Sequence, residues 1–292
     1  MITSAPLEHT RVPTNGVTLH VVQAGPLDGP LVILLHGFPE FWYGWHKQID
    51  ALVEAGYRVW IPDQRGYNLS DKPKGIAPYN MDETAADVIG LIDAAGRQKA
   101  HVIGHDWGAA VAWRTAMKYR ERLEKLVILN VPHPTVSGRT IRRHPIQRRK
   151  SWYIFFFQIP WLPEQLIRLN NWRGFIANGL GRARPGAFSE ADIDEYRKAW
   201  SQPGAMTAMI NWYRAVRRTP PKSPPDRRVS TPTLIIWGVH DDYIIPEAAQ
   251  MSLDFCDNAR LEYIESATHW VQHDEPERVN RLIVEFLKGV SG

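Results

Sequence analysis

The stretch that decides the fold is His101-Val102-Ile103-Gly104-His105-Asp106-Trp107-Gly108-Ala109-Ala110-Val111-Ala112-Trp113. An apolar, strand-like run leads into Gly-x-Asp-x-Gly, and a helix-like run leaves it. Paired glycines let the chain turn sharply and hold the residue between them in a strained conformation, its side chain exposed above a helix N-terminus. This is the pattern of a nucleophile elbow, with aspartate where serine usually stands. The exchange changes which reaction is feasible. A serine hydroxyl must lose a proton before it attacks, whereas a carboxylate with an ordinary pKa of about 3.9 is already ionised at neutral pH. Its attack on an sp³ carbon gives an alkyl-enzyme ester that water can then cleave. Asp106 therefore points to C–O or C–halogen cleavage through a covalent ester. An isolated aspartate after a strand also serves as a plain helix cap, so the distinction rests on the other segments of the chain.

On both sides of the elbow, apolar runs alternate with helix-like segments. Val17–Val22 reads as a strand after an Asn15-Gly16 turn, and Leu31–Leu35 as a strand buried on both faces. A helix over Trp45–Ala55, a strand over Arg58–Ile61 and a helix over Asp82–Ala95, with Asp82 or Asn80 near its N-cap, lead to the strand Ala100–Gly104. Further strands are expected at Leu126–Leu129, Thr233–Trp237 and Arg260–Ile264, with a helical segment from Pro246 and an amphipathic last helix over Pro276–Leu287. This alternation implies an α/β fold with a doubly wound, mostly parallel sheet. Between about 133 and 228 the rhythm stops. That region is rich in Trp, Arg and Pro and ends in Pro220-Pro221-Lys222-Ser223-Pro224-Pro225. The expectation is a core domain formed by 1–132 and 229–292, and a helical cap, or lid, over 133–228 that returns through a stiff proline-rich linker.

Composition narrows the function classes. A chain of 292 residues can bury a large core, and 44% hydrophobic with 23% charged residues is ordinary for a globular protein. A net charge of +4, without a Lys/Arg-rich helix or nucleic-acid motif, argues against a nucleic-acid partner. One cysteine, Cys256, excludes an intramolecular disulfide and fits a reducing compartment. Met1 to Gly16 has no apolar core of the secretory kind, which makes the location expected cytoplasmic. The longest apolar run, Trp152-Tyr153-Ile154-Phe155-Phe156-Phe157, continues past Gln158 to Pro163. It falls well short of the ~20 residues a membrane helix needs. It follows a basic stretch containing Arg139, Arg142, Arg143, Arg148, Arg149 and Lys150. Basic-then-aromatic is compatible with an interfacial anchor; the favoured expectation is a lid whose aromatic face covers a pocket, with no membrane insertion.

Three features converge on the elbow. His36-Gly37-Phe38-Pro39 follows a buried-strand pattern and would set backbone N–H groups at a strand's C-terminal end, where open α/β sheets bind ligands. The N–H groups of Phe38 and Trp107 are the candidate oxyanion-hole donors, which leaves both side chains free to shape a substrate pocket. Trp237-Gly238-Val239-His240-Asp241-Asp242 ends another strand with two adjacent acids, and Ser266-Ala267-Thr268-His269-Trp270 follows the last strand. Nucleophile, acid and histidine in that chain order form the α/β-hydrolase arrangement. Asp241 can hold the His269 imidazole in the tautomer whose other nitrogen activates water. Asp242 is a second candidate for the acid, and the Trp-Gly-x-x-Asp spacing favours Asp241.

With these residues in view, the chain resembles the α/β-hydrolase-fold epoxide hydrolases of the soluble type, without an extra N-terminal domain. The resemblance is carried by His36-Gly37-Phe38-Pro39-Glu40, Asp63-Gln64-Arg65-Gly66-Tyr67, Gly104-His105-Asp106-Trp107-Gly108 and Thr268-His269-Trp270, and runs from about residue 8 to the C-terminus. Its most specific parts are two lid motifs, Trp152-Tyr153 with Phe157-Gln158 and Asn211-Trp212-Tyr213-Arg214. The resemblance implies conversion of an apolar epoxide and water to a vicinal diol, with neither metal nor organic cofactor. Asp106 would attack the ring while Tyr153 and Tyr213 bind the substrate and stabilise the leaving oxygen; His269, oriented by Asp241, would activate the hydrolytic water. Phenols suit the task because, with pKa near 10, they stay protonated at neutral pH. Monomer and homodimer are equally compatible with the sequence.

Two other readings use the same residues. A haloalkane or haloacid dehalogenase also employs an aspartate elbow, and Trp107 would serve its halide. However, Phe38 stands where the haloalkane enzymes usually carry asparagine, and the two tyrosines would have no oxygen to protonate. A non-catalytic small-molecule receptor would have no need of Asp106, Asp241 and His269 together. A serine esterase is excluded by Asp106.

Overall fold

A computed structural model of the chain describes residues 3–222 and 226–289. Ser223, Pro224 and Pro225 of the expected proline-rich linker lie outside the described residues. The strands β1 (Glu8–Thr14), β2 (Val17–Ala24), β3 (Leu31–Leu35), β4 (Arg58–Pro62), β5 (Ala100–His105), β6 (Leu123–Leu129), β7 (Thr233–Gly238) and β8 (Ala259–Ile264) form one 8-stranded sheet. Their order is β1-β2-β4-β3-β5-β6-β7-β8. The β1–β2 and β2–β4 pairs are antiparallel and all the others parallel. The inner strands β3, β5 and β7 are buried along their whole length, which is why they read as unbroken apolar runs. β1 was not expected. It is an edge strand that buries only Val12 and Thr14, and its other side chains are polar or exposed, so it carries little hydrophobic signal.

Helices α1 (Ile49–Glu54), α2 (Met81–Ala94) and α3 (Trp107–Lys118) connect the first strands. α1 is shorter than the expected Trp45–Ala55: Trp42–Trp45 is a separate 3₁₀ turn, and no side chain caps the helix at Gln48. α2 starts where a cap exists, with the side-chain Oδ1 of Asn80 accepting the Asp82 N–H at 2.7 Å. Between β6 and β7 the described residues form helices α4 (Pro134–Arg143), α5 (Pro145–Lys150), α6 (Trp152–Phe156), α7 (Leu162–Arg168), α8 (Arg173–Asn178), α9 (Glu190–Trp200) and α10 (Ala205–Arg218). Helices α11 (Glu247–Ser252), α12 (Val271–Asp274) and α13 (Pro276–Lys288) complete the chain. No helix among the described residues is long and apolar enough to cross a membrane.

The helical insert is knit together by one buried cation. Arg214 on α10 donates to both carboxylate oxygens of Glu164 (2.7 and 3.1 Å) and to the carbonyls of Phe157 (3.0 Å) and Ile159 (2.8 Å). It thereby fixes the turn between α6 and α7. The Gln158 amide donates to the Tyr213 carbonyl at 2.9 Å, closing the same joint. The insert is tied to the C-terminal ends of β3 and β4: Trp200 Nε1 donates to the Pro39 carbonyl (2.6 Å), Trp212 Nε1 to the Arg65 carbonyl (3.0 Å) and Asn211 to the Gly75 carbonyl (3.0 Å). It therefore lies over the edge of the sheet where β5 ends in the elbow. Removing one partner of a buried ion pair costs about 3–5 kcal/mol, whereas replacing both can be neutral. Urea denaturation should show a loss of that size for Arg214→Met and recovery of most of it in Arg214→Met/Glu164→Leu. An equal loss in both variants would place the effect outside the pair.

Candidate active site

β5 delivers Asp106 at φ 49°, a left-handed value uncommon for a residue with a side chain. The turn leaves no room around it. A Cβ at Gly108 would lie 2.0 Å from the Leu35 carbonyl oxygen, and one at Gly37 would lie 2.3 Å from the Asp106 Cβ. The two loops after β3 and β5 are thus pressed together, and the Phe38 N–H donates to Asp106 Oδ1 at 2.7 Å. The Trp107 N–H, at the first position of α3, has no bond among the described residues and is one of the free amides of a helix start.

Across the sheet edge, His269 Nδ1 lies 2.7 Å from Asp241 Oδ2, and its Nε2 lies 3.6 Å from Asp106 Oδ2. Asp241 is buried and also accepts from Asn130 Nδ2 (2.9 Å) and from the N–H groups of Tyr243 (2.6 Å) and Ile244 (2.9 Å). Asp242 is more than half exposed and lies 3.8 Å from Arg182. Of the two adjacent acids, Asp241 alone meets the imidazole.

Charge governs this arrangement. Burial pushes the His269 pKa down, but the Asp241 charge and the hydrogen bond and charge of Asp106 outweigh it and raise the value to about 10. Burial pushes both carboxylates up, and His269 brings each of them net below the usual carboxylate range. At neutral pH the resting site is an imidazolium between two carboxylates.

Tyr153 on α6 and Tyr213 on α10 meet over the elbow with ring centroids 5.9 Å apart. Tyr213 packs edge-on against Phe38 (5.1 Å) and Trp107 (4.8 Å). Burial first, and the Asp106 charge second, push both phenols well above 10, so both are protonated donors. All seven residues expected at the site are therefore gathered around one carboxylate. A groove of about 410 Å³ on the insert, lined by Trp161, Gln165, Arg168 and Arg218 among others, lies elsewhere.

Several residues were quoted in the motifs without a role, or missed. His36 is neutral, its pKa lowered chiefly by burial. Its Nδ1–H donates to the Gly37 carbonyl (3.0 Å), and its Nε2 accepts the Gln64 N–H (3.0 Å). The Gln64 amide in turn donates to the His36 carbonyl at 2.6 Å, so the Asp63–Tyr67 motif braces the loop that carries Phe38. Glu40 is buried behind the elbow. Burial pushes its carboxyl up, but His273 and His105 hold it well below the usual range. It accepts from Tyr196 OH (2.8 Å) and Gln272 (3.2 Å) and faces His273 Nε2 (2.7 Å) and His105 Nδ1 (3.2 Å). His105 Nε2–H donates to the His269 carbonyl at 2.8 Å. Asn130, at the C-terminal end of β6, could have been suspected from that position alone. Tyr243, whose ring lies 5.0 Å from His269, gave no signal.

Comparison with known proteins agrees with this geometry. Residues 30–158 match the α/β hydrolase fold family. A Bacillus subtilis AB hydrolase superfamily protein, YfhM, is 49% identical over 95% of this chain and 96% of its own length. Human epoxide hydrolase 4 is 39% identical over 96% of this chain and 78% of its own. A crystal structure of an epoxide hydrolase from Bacillus megaterium superposes with a TM-score of 0.87 at 30% identity, covering 96% of this chain and 100% of that one. The chain belongs to the α/β-hydrolase-fold epoxide hydrolases.

In this epoxide hydrolase, a charge change at Asp106 must be felt at His269. Because the His269 pKa lies above its ordinary 6.5, its contribution to stability is complete below about pH 6.5 and is lost as pH rises through about 10. Asp106→Asn removes one of the two carboxylates, so NMR titration of the imidazole should give a value below that of the wild type. The same variant should lose less stability between neutral pH and pH 10.5. An unchanged or higher pKa would show that Asp106 does not set the charge of His269.

Proposed function

We propose that the chain opens apolar epoxides in two covalent half-reactions, with Asp106 as nucleophile and His269 as base. The reading rests on one observation: Asp106 has one oxygen held by the Phe38 N–H and the other turned toward His269. In the first half-reaction Asp106 Oδ2 attacks a ring carbon as the carbon–oxygen bond of the epoxide breaks. Tyr153 and Tyr213 donate to the departing oxygen, which would otherwise leave as a strongly basic alkoxide. As the carboxylate becomes a neutral ester, the negative charge that raised both phenol pKa values disappears, so the donors strengthen as the oxygen needs them.

The same neutralisation readies the second half-reaction. With the Asp106 charge gone, the pKa of His269 falls toward that of an imidazole paired with Asp241 alone. The imidazolium releases a proton to the product oxygen, directly or through the phenols. Neutral Nε2 then deprotonates a water that attacks the Asp106 carboxyl carbon, while Asp241 keeps the proton on Nδ1. The Phe38 and Trp107 N–H groups hold the oxyanion at Oδ1. Collapse breaks the ester bond: the His269 imidazolium protonates the departing alkoxide and regains the proton of the new carboxyl group, which frees the diol and restores the carboxylate beside the imidazolium.

In this reading residues 133–228 are a cap domain over a core formed by 1–132 and 229–292. Water and a small apolar epoxide are its partners. The single cysteine supports a cytoplasmic location.

Mass spectrometry tests the order of events. His269→Gln, incubated with styrene oxide, should accumulate an adduct on Asp106, and a folded variant without the adduct would remove His269 from the second step. A single turnover in ¹⁸O-water should leave the diol unlabelled, because its new oxygen comes from Asp106; label in that diol would mean direct attack by water. Tyr153→Phe and Tyr213→Phe should each slow alkylation by about 10²-fold or more, the usual worth of a positioned acid. Wild-type alkylation in the double variant would eliminate the phenols, and halide release from a haloalkane faster than diol formation would favour the dehalogenase chemistry.

A further inference from the structure

The aromatic stretch after α5 has two faces. Tyr153 and Phe157 turn inward, but Trp152 and Phe155 are exposed, with Trp152 63% accessible. The lid expectation accounts for the first pair only. Among the described residues eleven large apolar side chains are exposed, and eight of them fall between Ile146 and Leu169. They are spaced as two helical stripes. Trp152, Phe155 and Ile159 follow one another along α6 and the turn that continues its hydrogen bonding. Leu162 and Leu166 do the same along α7, which Leu169 caps, with Trp161, 69% exposed, between the two. Apolar exposure concentrated in so short a stretch marks an interaction surface.

The charges around the patch say what it meets. From 133 to 189 the sequence has ten Lys or Arg residues and a single acid, Glu164, and Arg214 neutralises that acid. Arg142, Arg143, Arg148 and Arg149 are exposed on α4 and α5, and Arg168 and Arg173 flank α7 and α8. A second copy of the chain packed on this face would set cations against cations. An anionic bilayer satisfies both features at once: tryptophans and aliphatic side chains enter the headgroup boundary while the surrounding arginines meet lipid phosphates. We infer that the outer face of α5–α7 is a peripheral docking surface for anionic membranes. It lies shallowly in the interface and spans nothing. If the chemistry proposed for Tyr153 holds, docking brings the helix that carries this phenol next to a reservoir of apolar substrate.

Cosedimentation of the full chain with vesicles tests the inference separately from catalysis. The wild type should pellet with vesicles of equal parts phosphatidylglycerol and phosphatidylcholine and stay in solution with pure phosphatidylcholine. Arg148→Gln/Arg149→Gln should weaken partition about fivefold for each cation removed, at low salt. Trp161→Gln/Leu166→Gln should weaken it at least tenfold while leaving hydrolysis of a water-soluble epoxide unchanged. The inference is overturned if the wild type ignores anionic vesicles, or if the apolar variant binds them as tightly as the wild type. Gel filtration giving a dimer that the apolar variant converts to monomer would also overturn it, because the patch would then be a contact between copies.

Discussion

Asp106 and Asp241 face opposite nitrogens of one imidazole, and while both are charged His269 stays protonated far above the pH at which a free histidine loses its proton. The constraint is electrostatic, and it makes the order of events a property of the ground state. A resting imidazolium cannot take a proton from water, so it cannot act before the nucleophile has reacted. In the proposed mechanism, forming the ester removes the very charge that keeps the base inactive. The phenols of Tyr153 and Tyr213 are raised by the same charge, and in the proposed mechanism they become better acids at the moment an alkoxide develops.

Such coupling requires fixed distances, and most of the surrounding polar structure provides them. The glycines at 37 and 108 bring two loops closer than any side chain would permit. Gln64 locks the loop carrying Phe38 by donating twice to His36, from its backbone N–H to the ring and from its side-chain amide to the carbonyl. Glu40 accepts from α9 and α12 behind the elbow and faces His105 of β5, whose Nε2–H passes that order on to the backbone of His269. None of these groups is placed to touch substrate. They set where the reacting atoms stand.

The sheet was legible because parallel strands buried on both faces leave unbroken apolar runs, and the elbow because its glycines bracket a reactive side chain. The polar edge strand β1 had no such run to show. Chain order and spacing favoured Asp241 over Asp242, and burial separates them: one accepts four hydrogen bonds, the other faces solvent. Glu40 stood in a quoted motif but could not be assigned a role, since Tyr196, His105, Gln272 and His273 come from distant segments whose meeting is a tertiary fact. The two faces of Trp152–Phe157 were illegible for a different reason. Five residues of helix are too few for periodicity to say which aromatic turns inward.

The ties between insert and sheet have a consequence for how the molecule comes apart. Tyr196 to Glu40, Trp200 to Pro39, Trp212 to Arg65 and Asn211 to Gly75 are all shielded from solvent wholly or in part. Lifting the helices away would exchange these bonds for bonds to water, at a net cost of roughly 0.5–1.5 kcal/mol apiece. A hinged swing of the whole layer must break all four at once, so the insert and the sheet edge are energetically coupled.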